Sequence, residues 1–304
     1  MGLTNYPNGI SSFGVPVLGG SADITTGSVF FVHSGTGSDA GNSYGKKPSK
    51  PFATIDYAIG RCTANKGDVI YVMPGHSETI VGAAGIACAT AGIRIVGLGG
   101  LTNRPIVTLS TDTAAQMTVS AANVSISNIQ FQNAIDSLVA GISVSAAACE
   151  IRGCSFTSPT ATNDALIWVL TTAAADDLVI ADCDFRGNNA GPTEAIRLVG
   201  ADRAKIIGNY ITGSYSTAAI NGITTASLEL LIGWNTITNS VTDKLLVDLV
   251  ASCTGRICYN NGTVVSTGAI TAANIIDAAS CQLAENYVSD AVGETGKLIG
   301  TVSA

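Results

Sequence analysis

A recurring unit of about 26 residues constrains this chain more than any other feature. Seven segments share an aliphatic anchor, a turn-forming or small residue three positions on, and usually an apolar residue five positions on. They start at Ile126, Ile151, Ile180, Ile206, Ile232, Ile257 and Leu283, so the steps are 25, 29, 26, 26, 25 and 26 residues. Ile70 and Ile95 extend the series toward the N-terminus. A repeat of this size cannot bury its apolar side alone. Stacked neighbours must supply the core.

Parity inside the unit is informative. Along one flat strand, residues facing the same way differ by even numbers. Anchor and apolar partner differ by five, so one residue between them must bend the chain. In four successive units the residue at the third position is asparagine: Asn209, Asn235, Asn260 and Asn286. Asparagine tolerates positive φ better than any residue but glycine. The unit therefore reads as strand, one-residue left-handed corner at the asparagine, strand, with the four amides forming a structural ladder up one edge. Phe131, Phe156 and Phe185 should stack inside. A second apolar run falls between units, at 138–144, 166–170, 195–199, 219–223 and 244–249. Three short strands per coil make the expected fold all-β, a right-handed parallel β-helix.

The open end of such a fold exposes unpaired backbone that must be covered. Phe52, Ile55, Ile59 and Cys62 have helical spacing, which predicts a short capping helix at about 51–62. Residues 1–28 are too turn-rich to build a core of their own. They carry scattered apolar anchors at Leu3, Tyr6, Phe13, Val15, Val17 and Leu18. The segment is expected to be an extended arm that orders against a partner, with residues 29–304 as one β-helix domain.

Composition excludes several classes. Charged residues are only 12% of the chain and the net charge is −7, with no basic run beyond Lys46, Lys47 and Lys50, so neither nucleic acid nor a membrane surface is an expected partner. No stretch approaches the roughly 18 apolar residues that cross a bilayer. The first residues lack the basic and apolar regions of a secretory signal. A solenoid this poor in charge is expected to hide a lateral face, which points to self-association. The eight cysteines show no CxxC pair and several fall in apolar strands, so most are expected to be reduced core residues.

Two stretches carry a resemblance. FVHSGTGSDA at 31–40, KPFATI at 50–55 and GDVIYVMPG at 67–75 follow one another in an order that resembles the opening of pectin-lyase-like right-handed β-helix proteins. MGLTNYPNGISSFGVPV at 1–17 resembles the start of phage- and prophage-encoded proteins of that kind. The resemblance implies a bacteriophage virion protein, a homotrimer assembled in the host cytoplasm. The coils run to about Val288 and only a short tail follows, which favours a head decoration protein over a tail spike. The expected partners are other copies of the chain and the major capsid protein or other virion proteins. The alternative is a tail spike or fibre domain that binds host surface polysaccharide. A polysaccharide lyase or hydrolase is the third reading.

The residues offer little catalytic pattern. Polygalacturonase-like hydrolases use Asn-Thr-Asp, Asp-Asp, Gly-His-Gly and Arg-Ile-Lys segments on successive coils. Here Asn163-Asp164, Asp176-Asp177 and Arg203-Ala204-Lys205 match in part, and there is no Gly-His-Gly. The two histidines, His33 and His76, lie in the N-terminal quarter. Asp182 and Asp184 flank Cys183, but the next coil offers no partner carboxylates for a calcium ion, which wants six to eight oxygens. The expectation is no enzyme, no metal and no cofactor. Trp168, in a strongly apolar strand, reads as core. Trp234, beside the corner asparagine, is the candidate for glycan contact.

Overall fold

The computed structural model describes residues 25–83, 85–160, 162–187, 191–267 and 275–290, with the backbone of Ser11–Ser12, Val15–Pro16 and Lys297–Ile299. The repeat becomes a right-handed parallel β-helix of three sheets. Sheet I has ten strands, from Val29–Val32 to Gln282–Ala284. Sheet II has ten, from Ser77–Ile80 to Lys297–Ile299, the last pairing antiparallel. Sheet III has eight, from Ile86–Cys88 to Ile276–Asp277. Each complete coil visits I, II and III in turn, and each strand pairs with its counterpart one coil away.

The anchors form one column on sheet I. Ile126, Ile151, Ile180, Ile206, Ile232, Ile257 and Leu283 are successive register partners, all buried. β-Branched side chains suit a pleated, packed surface. Fully burying each is worth roughly 1.5–3 kcal/mol. On sheet II, Phe131, Phe156 and Phe185 stack at 5.3 and 4.5 Å between ring centroids, with interplanar angles of 12° and 3°. Trp168 is fully buried and packs on Phe156 at 5.5 Å.

The corner differs from the expectation by one residue. Positive φ falls on the residue before the asparagine: Gly208 (68°), Trp234 (57°), Tyr259 (57°) and Glu285 (51°). Asn128, Gly153 and Asp182 hold the same position in earlier coils. Asn209, Asn235, Asn260 and Asn286 are not at positive φ and point inward, buried. Their work is hydrogen bonding. Asn235 Nδ2 donates to the Ile206 carbonyl at 2.9 Å and to Asn260 Oδ1 at 2.9 Å. Asn235 Oδ1 accepts from the Asn209 backbone N–H at 2.9 Å and from Asn209 Nδ2 at 3.0 Å. Asn209 and Asn260 repeat the pattern, and Asn286 Nδ2 donates to the Ile257 carbonyl at 2.9 Å. The N–H just after the left-handed residue falls outside the strands, and the Oδ1 of the next coil's amide accepts from it, while the Nδ2 of that amide adds a second donor to the strand's anchor carbonyl. Cys154 and Cys183 continue the column, their thiols facing the Ile126 and Ile151 carbonyls at 3.8 and 3.6 Å. Burial and the neighbouring Cys154 push the Cys183 thiol well up, so it stays a neutral donor. All eight cysteines are free and seven are buried.

The capping helix spans Ile55–Ile59, shorter than the periodicity suggested. Thr54 caps it, accepting from the Tyr57 N–H at 3.3 Å, and Gly60 closes it. Asp39 fixes the approach, accepting from Ala53 N–H and the Thr54 hydroxyl at 2.8 Å each. Glu78, on the first strand of sheet II, accepts from the Ile55 N–H at 2.9 Å and faces His76 Nε2 at 3.2 Å. The Ser34 N–H donates to His76 Nδ1 at 3.0 Å, which places the imidazole proton on Nε2, toward Glu78. His76 is thus a buried tie between the first loop and the cap. Glu78→Ala should cost about 1–3 kcal/mol, because two buried N–H groups lose their acceptor. Glu78→Gln keeps an acceptor oxygen and should cost less. Equal melting temperatures for the two variants would contradict this account.

The proposed arm anchors Leu3, Tyr6, Phe13, Val17 and Leu18 lie outside the described residues. Of Val15 only the backbone is described, in a two-residue strand with Pro16 that pairs antiparallel with Ser11–Ser12.

Candidate ligand-binding surface

Trp234 stands at a left-handed corner between sheets I and II, 53% exposed. Its ring stacks on that of Tyr259, one coil on, at 5.3 Å and 21°. Two further exposed tyrosines flank the pair. Tyr210 (46%) and Tyr287 (54%) sit on the outer face of sheet II, three coils apart in one register row with Thr236 and Asn261 between them. At about 4.8 Å per coil the row is about 14 Å long. A parallel outer row holds Thr212, Thr238, Thr263 and Ser289, and the Thr263 and Ser289 hydroxyls are 3.1 Å apart. A shallow depression of about 270 Å³ lies among Thr236, Thr238, Asn261, Thr263, Tyr287 and Ser289. None of the eight outer residues in these two rows carries a formal charge. The surface therefore offers aromatic rings beside hydroxyls and an amide.

The aromatic corners carry a conformational cost. A bulky residue at positive φ is about 1 kcal/mol or more worse than in its ordinary conformation. Gly153 and Gly208 occupy the same corner in other coils at no such cost. Trp234 and Tyr259 are thus the bulky rings at strained positions, exposed rather than packed into the core. Glycine would sit there at less cost, so the two exposed rings are candidates for a contact. Sequence reasoning singled out Trp234 but not Tyr210, Tyr259 or Tyr287. Their positions two and four residues after an anchor mark them as outward-facing once the corner is placed correctly.

Toward the N-terminal end, the same face of sheet II becomes charged. A second depression, about 350 Å³, is lined by Thr102, Arg104, Gln130, Ser155 and Asp184. Asp184 pairs with Arg186 at 2.9 Å. Asp176, Asp177 and Asp182 are tied into the coils by arginines, as Asp202 is by a backbone N–H, whereas Asp164 is buried with its Oδ1 unpaired. Arg203 spans Asp177 and Asp176, Arg152 holds Asp182 at 2.8 Å, and Asp202 accepts from the Leu228 N–H at 2.8 Å.

Sheet III carries an outer row of Arg197, Asn221, Asp248 and Asp277. Arg197 grips the buried Glu194 with bonds of 2.5 and 2.8 Å, and Asn221 donates to Glu194 at 2.8 Å. Burial, then Asp277 and Glu194, raise the Asp248 carboxyl above its ordinary 3.8. A carboxyl raised in the folded state adds stability that is full below its unfolded pKa and is lost as pH rises through the folded one. Asp248→Asn should therefore raise the melting temperature at pH 7, with the gain shrinking as the pH falls toward 3.8. A gain that persists unchanged into acid would refute the electrostatic cause.

No family model matches the chain, and no curated protein matches its sequence. Solved structures do resemble it. A rhamnogalacturonan lyase aligns over 80% of this chain and 75% of its own, at 14% identity and a TM-score of 0.48. A GH136 lacto-N-biosidase from Eubacterium ramulus aligns over 86% and 67%, at 11% identity and a TM-score of 0.45. ORF18 of Geobacillus virus E2 aligns over 80% and 59%, at 13% identity and a TM-score of 0.30. These likenesses concern the fold. They correct one expectation: two of the three structures are named as enzymes, so the reading of this chain as not an enzyme is withdrawn.

Proposed function

We propose that the chain is a structural protein on the outside of a bacteriophage particle, a trimeric head decoration protein held through its N-terminal arm, residues 1–28. The geometry at the start of the solenoid is the observation that carries this reading. Thr25 is buried, its hydroxyl bonded to the Gly67 carbonyl, and Ser28 N–H donates to Asp68 Oδ1 at 2.5 Å. A side chain at Gly27 would collide with the backbone of 66–68. The chain is thus pinned at the helix-capped end, and whatever precedes residue 25 starts from there. From that end the stacked coils rise roughly 43 Å. An arm at one end of a rigid rod suits attachment to a shell, with other copies alongside. The opening sequence, 1–17, supports a phage origin through its resemblance to phage-encoded β-helix proteins.

A tail fibre or spike role is the second reading, favoured by the aromatic and hydroxyl surface on sheet II. Electron microscopy of purified particles, with the full chain and with residues 2–20 deleted, separates the two. Head decoration predicts density at regular capsid positions that vanishes with the deletion. Density on the tail alone, or normal head occupancy without the arm, overturns it. Light scattering at micromolar concentration checks the trimer, and a monomer would remove that part of the reading.

A further inference from the structure

We propose that the outer face of sheet II holds a neutral carbohydrate chain, one sugar ring of which lies over Gly208 against the open face of Trp234. The proposal concerns the folded solenoid and stands whether the chain sits on a head or on a tail.

The slot is defined by the corner column. Gly208, Trp234, Tyr259 and Glu285 occupy one corner on successive coils, and the Gly208 N–H bonds the Gly233 carbonyl directly above it at 3.2 Å. Tyr259 covers one face of the Trp234 ring. The other face looks toward Gly208, which has no side chain, and neighbouring coils are about 4.8 Å apart. Asp182, one coil below, leans into the same space. Its Oδ1 lies 2.8 Å from where a Gly208 Cβ would stand. Its Oδ2 is held by Arg152 at 2.8 Å. Tyr210 stands two residues along the chain from Gly208, at the start of its sheet II strand.

A ring-shaped ligand with an apolar face and a rim of hydroxyl donors matches this arrangement. The C–H face of a pyranose packs on the indole, and a hydroxyl donates to Asp182 Oδ1. A purely apolar ligand makes no use of that oxygen. An anionic sugar would face Asp182, Glu285 and a net charge of −7, with the nearby Arg152 already engaged by Asp182 and Glu150. From Trp234 the chain continues along Thr236 and Asn261 to Tyr287, two coils and about 10 Å away, whose exposed ring closes the row. The row is uncharged throughout, which again selects a neutral glycan. The corner points its side chain outward, as it does for Asp182 and Glu285 on other coils, so the indole stands beside that row.

The test uses the full-length protein on an array of neutral and acidic oligosaccharides. Two variants keep the corner geometry. Trp234→Gly removes the ring at a φ of 57° that suits glycine. Gly208→Asn fills the slot, and Asn128 already occupies that corner at 55°. The Asp182 carboxylate, 61% exposed, can swing aside for it. Circular dichroism melts confirm that both variants fold. The wild type should bind neutral members, and each variant should bind the same members at least tenfold more weakly. Titrating the strongest array member should shift the tryptophan emission, because Trp234 is exposed and Trp168 is buried. Absence of binding to every neutral member, preference for acidic members, or unchanged binding by both variants overturns the proposal. So does loss of particle attachment in the variants with glycan binding intact, which would make the surface a protein contact.

Discussion

Replacing Asn235 by leucine should destabilise the protein by roughly 2–6 kcal/mol, because it leaves two buried N–H groups of Asn209 without their acceptor at about 1–3 kcal/mol each. The groups are the Asn209 backbone N–H and its side-chain Nδ2, both of which donate to Asn235 Oδ1. Leucine has nearly the right volume, so packing loss is a minor part of the effect. The substitution series separates this account from the one suggested by sequence. If asparagine were needed for a left-handed backbone, Asn235→Gly would be mild. Since the strain sits on Trp234 instead, glycine should be as damaging as leucine. Asn235→Cys should be the mildest, because Cys183 fills the same position two coils earlier and directs its thiol at the Ile151 carbonyl. Urea melts measure this through the midpoint at constant slope. A glycine variant near wild type would return the corner to the asparagine.

Ile206→Asp should abolish folding, with a loss above about 5 kcal/mol. Ile206 is fully buried between Ile180 and Ile232. A carboxylate there has no partner and cannot reach water, and even its protonated form loses the packing of both neighbours. Ile206→Val, removing one methylene, should cost only about 0.5–1.5 kcal/mol. A soluble aspartate variant with a native circular dichroism spectrum and melt would mean that the column is not load-sharing between coils.

Much of the architecture was legible because stacking repeats a physical demand at each coil. Anchors at fixed steps are inward positions in register, and Ile126 through Leu283 are paired in that order. The corner was misplaced because two kinds of evidence agreed on asparagine: its tolerance of positive φ and its recurrence. The correcting signal was also present. Three positions after the anchor, earlier coils carry Ile129, Cys154 and Cys183, of which isoleucine resists positive φ, while the position before carries Asn128, Gly153, Asp182 and Gly208. An inward column that mixes isoleucine, cysteine and asparagine is a buried one, where amides must pair with backbone. The helix was overextended because Phe52 and Cys62 share its apolar spacing without sharing its hydrogen bonds. Phe52 instead donates its N–H to the Phe31 carbonyl. The surface around Trp234 was only partly legible. Which tyrosines face outward follows from the corner, and the slot at Gly208 needs coordinates.

The amide ladder has a consequence for how such a molecule changes length. Asn209 and Asn235 hold equivalent places 26 residues apart, and each makes the same bonds to the coil on either side. Excising one period from this region joins two ends whose geometry already matches. Insertion of one period does the same in reverse. The fold is therefore a ruler graduated in single coils, whose reach lengthens or shortens in steps of about 4.8 Å without redesign of either terminus.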